Sequence, residues 1–239
     1  LAGSELNSGT RINSALATVP TLVNGALYTI TLNGQDISGN VGSTLSVTGI
    51  TFDTTAPTIT SVTSTTSNGT YGIGNSINIT INFSENVTLT SGIIIITLET
   101  GTTARTVTIE PEYVSNSTAS GEYDIQAGDT SSDLTVKTIA LSVANSLEDI
   151  VGNKMNSFNI GTNLAASSAI VIDTNPVTIS SCSISGDNTT LTVTFNKTVY
   201  NTASGSGSIQ ANDFVLSLSG GVATLVSTTP TSISSTTCL

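Results

Sequence analysis

The chain has no histidine and no tryptophan, and it has only one methionine and two cysteines in 239 residues. Without histidine, the commonest general base and the Ser-His-Asp triad are unavailable. Two cysteines are too few for a four-thiolate zinc site. The longest apolar run, at residues 92–98, is far shorter than the ~20 residues that a membrane-spanning helix needs. A short run of this kind is typical of a buried strand.

Charged residues are also scarce, at 9% of the chain, and acidic residues dominate them. Sixteen acids against five bases give a formal net charge of -11. This balance argues against nucleic-acid binding, which needs basic surfaces to displace counterions. An acidic surface of this kind favours the binding of divalent cations instead. Serine and threonine fill about a third of the chain, so hydroxyl groups replace the usual charged surface.

Two pairs of carboxylates could in principle serve a glycosidase: Glu110 with Glu112, and Glu122 with Asp124. Each pair is two residues apart, which places both acids on one face of a strand. No aromatic platform for a sugar accompanies them. Ordinary solvated acids explain these pairs better, and the sequence predicts that the protein is not an enzyme.

Short β-branched segments separated by Gly, Asn, Ser and Asp clusters predict an all-β protein built of antiparallel sandwiches. Val, Ile and Leu alternate with polar residues along them, as expected for strands with one buried face. The predicted strands are residues 27–34, 76–84, 92–99, 104–110, 133–143, 190–196 and 213–220.

Internal repeats organise the chain. The stretch DISGN at 36–40 matches DIVGN at 149–153, and each precedes a strand and an Asp-Thr linker that leads to a proline. ITINFSENV at 79–87 matches LTVTFNKTV at 191–199, which aligns Phe83 with Phe195. We therefore expect a complete unit at 54–173, the closing half of a unit at 1–53, and the opening half of another at 174–239.

The two flanking halves together have about the length of the complete unit. Half a sandwich leaves an open sheet edge and an uncovered apolar face. We therefore expect the carboxy-terminal half to be completed by a segment equivalent to residues 1–53, in a head-to-tail series. Either the covalent chain continues, or a neighbouring copy donates its strands.

The Asp-x-x-Gly-Asn loop, the Asp-Thr-x-x-Pro linker and the Phe-Ser-Glu-x-Val strand end resemble the tandem bacterial Ig-like, cadherin-like repeats of giant cell-surface proteins. The resemblance covers nearly the whole chain. It implies tandem Ig-like sandwiches arranged head to tail, secretion to the cell surface, assembly into rods or fibres, and calcium near the junctions between domains.

Strands in such a sandwich alternate in direction. The linker that leads into the first strand therefore lies at the same end as the loops that follow the second and sixth strands. Asp53, Glu85, Asp149 and Asn153 are therefore expected at one end of the 54–173 unit. Calcium takes six to eight oxygen ligands, so these side chains predict a calcium site completed by carbonyls or water. The alternative is that the residues only form turns.

Three further residues are weaker calcium candidates: Asp36, Asn40 and Asp173. Asp173 repeats Asp53, but Lys197 stands where Glu85 stood, and its ammonium group would repel a cation. Any ion at Asp173 is predicted to bind more weakly or not at all. Asp129 and Asp133, at the opposite end of the unit, are interpreted as part of a plain loop.

Cysteine and asparagine residues carry two further predictions. A disulfide between Cys182 and Cys238 would close a loop and stabilise the chain by roughly 2–4 kcal/mol in an oxidising compartment; unpaired thiols or an interchain bridge are the alternatives. The Asn-x-Ser/Thr sequons are about as many as chance predicts, so glycosylation is only a candidate modification. They begin at Asn68, Asn78, Asn82, Asn86, Asn116, Asn188 and Asn196.

These observations favour a structural module of a secreted filament, appendage or surface stalk, whose partners are further repeats or neighbouring copies. The alternative is an adhesin that binds glycans or a host or abiotic surface. The scarcity of aromatic residues, at 4% of the chain, argues against the adhesin because sugars usually stack on them. Thr-x-Thr runs could suggest ice binding, but threonine simply favours strands.

Overall fold

A computed structural model describes residues 21–202, 205–222 and 224–234. Within these ranges the chain is all-β, as predicted, and contains no α-helix. Three single-turn 3-10 segments occur at Pro111–Tyr113, Leu164–Ala166 and Ala211–Asp213. The described residues divide into two compact units between Thr174 and Asn175.

The described part of the first unit contains fifteen strands. They are β1 (Leu27–Leu32), β2 (Leu45–Thr51), β3 (Ile59–Thr63), β4 (Gly69–Tyr71), β5 (Ser76–Phe83), β6 (Thr88–Leu89), β7 (Ile94–Leu98), β8 (Arg105–Ile109), β9 (Val114–Ser115), β10 (Thr118–Asp124), β11 (Thr130–Ser131), β12 (Val136–Leu141), β13 (Leu147–Glu148), β14 (Ile160–Thr162) and β15 (Ile170–Asp173).

Strands β3 to β15 form several sheets, and β1 and β2 form a hairpin of their own. The largest sheet has the order β14-β3-β5-β10-β9. Two three-stranded sheets have the orders β12-β7-β8 and β11-β15-β4, and β13 pairs with β6.

One hydrophobic core joins these sheets. Along β5, Ile77, Ile79, Ile81 and Phe83 are buried, while the residues between them lie on the other face. The inward residues of β7 belong to the same core. Each fully buried aliphatic side chain contributes roughly 2 kcal/mol. Two layers that share one core are consistent with a β-sandwich.

Two strand pairs depart from the predicted antiparallel arrangement. Strand β14 pairs parallel to β3, and β15 pairs parallel to β4. The segment 160–173 closes the unit. Its strand β14 joins the largest sheet, the chain turns through Leu164–Ala166, and its strand β15 joins the sheet β11-β15-β4. Gly161 permits the first contact, because a Cβ atom there would lie 2.4 Å from the carbonyl oxygen of Thr60.

The second unit contains β16 (Ile179–Ile184) and β17 (Leu191–Phe195), which pair with each other. No other strand occurs among its described residues, so the prediction of a strand at 213–220 is wrong. That segment begins in the 3-10 turn Ala211–Asp213 and continues as irregular chain. It has alternating apolar residues but lacks the strand partner that a ladder requires.

The strand pair β16–β17 repeats the pairing of β3 with β5. In the first unit Ile59 lies opposite Phe83, and in the second unit Ile179 lies opposite Phe195. A register shift follows the isoleucine in both pairs. The sequence match between 79–87 and 191–199 therefore extends to the register of the strands.

The ends of the two strand pairs are also held alike. The backbone N–H of Ser84 donates to the carbonyl of Thr58 (2.9 Å), and that of Asn196 donates to Thr178 (3.0 Å). In return, the threonine N–H donates to the side-chain oxygen of Ser84 (3.0 Å) or Asn196 (2.8 Å). Each pair thus begins with the same closed ring of hydrogen bonds.

Candidate metal centre

Three carboxylates from distant parts of the sequence lie together in the first unit. Asp53 is in the linker after β2, Glu85 follows β5, and Asp149 follows β13. One oxygen of each lies within 4.8 Å of the others. Asp149 is buried, and Asp53 and Glu85 are half-buried. No other group of three or more potential metal ligands occurs among the described residues.

The 149–153 loop holds Asp149 by local hydrogen bonds. One carboxylate oxygen accepts from the N–H groups of Val151 and Asn153, both at 2.8 Å. The other accepts from the side-chain amide of Asn153 at 2.7 Å. Gly152 has a φ of +95°, which glycine adopts without strain. The Asp-x-x-Gly-Asn motif therefore presents a carboxylate of fixed orientation.

These hydrogen bonds also set the charge of Asp149. Burial alone would raise the pKa of its carboxyl, but the bonds from Asn153 and from the backbone of Val151 and Gly152 outweigh burial and hold the pKa below its usual value. Asp149 is therefore ionised at neutral pH although only 3% of it is exposed.

Asn153 connects the loop to the linker. Its side-chain amide donates to the backbone carbonyl of Asp53 at 3.2 Å, as well as to Asp149. The carboxylate of Asp53 accepts from the N–H of Thr55 at 2.8 Å. Asn153 was predicted as a metal ligand, and the structure shows its amide nitrogen bracing two of the carboxylate residues.

Glu85 experiences the accumulated negative charge. Burial, and then the charges of Asp149 and Asp53, raise the pKa of its carboxyl above the usual value. None of the ion pairs Arg105–Asp129, Lys137–Glu99 and Lys154–Glu148 involves these three carboxylates. The three acids thus repel one another at neutral pH, and a cation bound among them would relieve that repulsion.

The loop at 36–40 has the same internal geometry as the loop at 149–153. The carboxylate of Asp36 accepts from the N–H groups of Ser38 and Asn40 (both 2.9 Å) and from the side-chain amide of Asn40 (2.8 Å). Asp36 is exposed, however, and belongs to no three-acid group among the described residues. Asp173, at the end of β15, also lies outside such a group.

Asp129 lies in the loop between β10 and β11, as predicted, but that loop also contains a partly buried ion pair that the sequence did not predict. The side chain of Asp129 is fully buried and forms an ion pair with Arg105 at 2.7 Å. The hydroxyl of Tyr123 donates to its other oxygen at 2.7 Å, as does the N–H of Gln126 at 2.9 Å. Burial opposes ionisation of Asp129, but these bonds outweigh it and lower its pKa.

The predicted glycosylation sites differ in exposure. Asn78 and Asn82 lie on the outer face of β5 but are half-buried, and their amide nitrogens donate to neighbouring side chains, Glu122 for Asn78 and Ser61 and Thr63 for Asn82. The asparagines of the other five sequons are exposed: Asn68, Asn86, Asn116, Asn188 and Asn196. Geometry thus favours modification at those five.

Cys182 is exposed on β16. Cys238, its predicted disulfide partner, lies outside the described residues, so the disulfide stays a prediction.

No protein-family model, curated protein or solved structure matches the chain. Within the described residues, no helix is long and apolar enough to cross a membrane. The chemistry of the side chains is therefore what indicates a function.

Proposed function

We propose that this chain is a structural repeat module of a secreted extracellular filament, appendage or surface stalk, in which calcium stiffens the junctions between tandem Ig-like domains. The observation that carries the proposal is the convergence of Asp53, Glu85 and Asp149. One of these three carboxylates lies in the linker itself, and the other two lie on the unit that the linker enters.

The ligand chemistry favours calcium. The three side chains offer only carboxylate oxygens, and histidine is absent from the chain. Hard cations prefer such oxygens, whereas zinc and copper favour nitrogen and sulfur. Calcium accepts irregular arrangements of six to eight oxygens, so backbone carbonyls and water can complete its coordination.

Calcium bound there would act on the linker mechanically. Asp53 is connected to the 149–153 loop by a single hydrogen bond from Asn153 to its carbonyl. An ion shared by Asp53, Glu85 and Asp149 would add a second connection. It would also neutralise the repulsion that, after burial, raises the pKa of Glu85. The linker would then be held in one orientation where it leads into the first strand of the 54–173 repeat.

The duplications support a tandem series. The 36–40 and 149–153 loops share their hydrogen bonds, and the β3–β5 and β16–β17 pairs share their register. Each motif therefore occurs in two successive parts of one chain. Scarce charge and abundant hydroxyl groups suit an extracellular surface fibre.

Isothermal titration calorimetry of the full chain with calcium chloride tests the proposal. We expect a binding isotherm for the wild type that Glu85→Gln abolishes, because the substitution keeps the shape of the side chain and removes a ligand charge. Glu110→Gln is the matched control, since Glu110 is an exposed acid outside the cluster. Equal binding by the wild type and Glu85→Gln would contradict a site at these residues.

A further inference from the structure

The hairpin β16–β17 has one apolar face, and that face is exposed. Cross-strand pairs place Ile179, Ile184 and Leu191 on it, together with their half-buried neighbours Val193 and Phe195. Ile179 and Ile184 are each 62% exposed, and Leu191 is 47% exposed. The other face carries serine and threonine. An amphipathic strand pair of this kind is unstable in water unless its apolar face is covered.

The first unit shows what covers an equivalent face. On β3 and β5, Ile59, Ile79 and Phe83 occupy the positions of Ile179, Leu191 and Phe195, and each is no more than 6% exposed. They share one core with Ile170 and Ile172 of the closing strand β15. A closing segment is therefore the natural occupant of this surface.

Strand β2 of the hairpin β1–β2 is the counterpart in sequence of this closing strand. The hairpin carries the 36–40 loop and leads into the Asp53-Thr54 linker, just as β15 leads into Asp173-Thr174. Aligning the two linkers places Ile50 and Phe52 at the positions of Ile170 and Ile172.

This hairpin also has an exposed apolar face. Ile30 lies opposite Val47, and Leu32 lies opposite Leu45. All four are at least half exposed. Their neighbouring pair, Thr31 with Ser46, forms the polar face.

We propose that hairpin β1–β2 of one copy docks, apolar face to apolar face, on hairpin β16–β17 of a second copy. This rests on the proposed function, since it identifies the partner in the head-to-tail series as another copy of this chain. The two surfaces differ, so the contact is heterologous: each copy offers one surface of each kind, and the series continues without closing.

The same docking would place Asp36 of one copy beside Lys197 of the next. In the first unit, Asp149 lies within 4.8 Å of Glu85. Asp36 is the counterpart of Asp149, and Lys197 is the counterpart of Glu85. An ammonium group therefore meets the carboxylate where the first unit has a third acid. This contact between copies needs no calcium.

Complementary surface variants test the docking. The double variant Ile30→Lys/Val47→Lys disables the first surface, and Ile184→Lys/Leu191→Lys disables the second. Each variant keeps one intact surface. The control Thr31→Lys/Ser46→Lys changes the polar face of the same hairpin.

Sedimentation velocity in EGTA gives the readout. We expect the wild type and the control to form concentration-dependent oligomers and each apolar-face variant to stay monomeric. A mixture of the two variants should form a 1:1 dimer that does not grow. Self-association of either variant alone would show like-with-like pairing, and a wild type that is monomeric at every concentration would show that another segment is the occupant. Either result would overturn the proposal.

Carbodiimide cross-linking of the unaltered chain provides a second measurement that does not depend on the variants folding. In a mixture of isotope-labelled and unlabelled chains, we expect a peptide pair joining Asp36 of one copy to Lys197 of another. Lys137 and Glu99, 3.2 Å apart, give an internal positive control. Recovery of the control without the Asp36–Lys197 pair would argue against the docking. Loss of calcium binding in calorimetry would leave both experiments unchanged, so the two proposals fail separately.

Discussion

The strand pairs β3–β5 and β16–β17 have the same register, the same bulge position and the same terminal hydrogen bonds, yet opposite burial. Ile59 is 3% exposed in the first pair, and its counterpart Ile179 is 62% exposed in the second. The local sequence therefore determines how two strands pair. The rest of the sandwich determines whether that pairing stabilises a core.

The largest expected effect comes from substituting those two isoleucines. Ile59→Ala should lower the free energy of unfolding of the first unit by about 3 kcal/mol, because it leaves a cavity in a packed core. Ile179→Ala should change the stability of the dilute chain by less than ~0.5 kcal/mol. Urea titration at a concentration too low for association measures both. Similar losses would show that the second pair is covered within a single chain.

A loss of similar size, about 3 kcal/mol in the free energy of unfolding, is expected for Arg105→Ala. The substitution leaves the fully buried carboxylate of Asp129 without its ionic partner. Lys137→Ala is the matched control, because it breaks an ion pair whose two side chains are 54% and 44% exposed. The free energy of unfolding of that control should fall by less than ~0.5 kcal/mol. Urea titration of both variants checks this prediction, and comparable losses would mean that burial does not strengthen the first pair.

Asp129 also shows where prediction from sequence stops. The alternation of apolar residues predicts β5 closely, and a short apolar run predicts β7, because each of these patterns is a property of one strand alone. The burial of Asp129 depends on Arg105 of β8 and Tyr123 of β10, and no local pattern identifies those contacts. The segment 213–220 fails for the opposite reason: its alternation is present, but no described strand pairs with it.

The acidic cluster was predictable in part. Strand directions bring Asp53, Glu85 and Asp149 to one end of the unit, and the structure places them together. The role of Asn153 was not predictable at the same level. An amide can coordinate through oxygen or brace through nitrogen, and only the packing of the loop decides between the two.

Glu85 and its counterpart Lys197 carry opposite charges at the same position of the two strand pairs. Saturating calcium, at a hundred times the dissociation constant, should stabilise the wild type by about 2.7 kcal/mol. Glu85→Gln should remove this gain and raise the melting temperature in EGTA, because it removes a repelled charge. Lys197→Gln should leave the calcium response intact. Differential scanning calorimetry with and without calcium measures all three proteins.

The same calorimetry can follow pH without calcium. The pKa of Glu85 is raised in the folded chain, so its contribution to stability is fully present below its unfolded pKa and is lost as the pH rises through the folded value. Between weakly acidic and neutral pH the free energy of unfolding of the wild type should therefore fall, whereas that of Glu85→Gln should not. Parallel pH profiles for the two proteins would show that neither burial nor the neighbouring acids raise the pKa of Glu85.

The smallest effects are expected at the paired loops, where Asp149→Asn and Asp36→Asn change the same hydrogen-bonded position. Asp149→Asn should cost about 1–2 kcal/mol at neutral pH, since a buried charged acceptor is lost. The folded pKa of Asp149 is lowered, so its stabilisation is present above its usual pKa of 3.8 and disappears as the pH falls through the folded value. The difference in stability between Asp149→Asn and wild type should therefore shrink in acid.

Asp36 makes the same bonds but is exposed to water. Asp36→Asn should therefore leave the stability of the dilute chain unchanged and weaken only its association with a second copy. Urea titration at pH 7 and below pH 3, together with sedimentation in EGTA, separates the two loops. An equal loss of stability in both variants would mean that the bonds inside the loop, rather than its burial in the first unit, set the contribution of the aspartate.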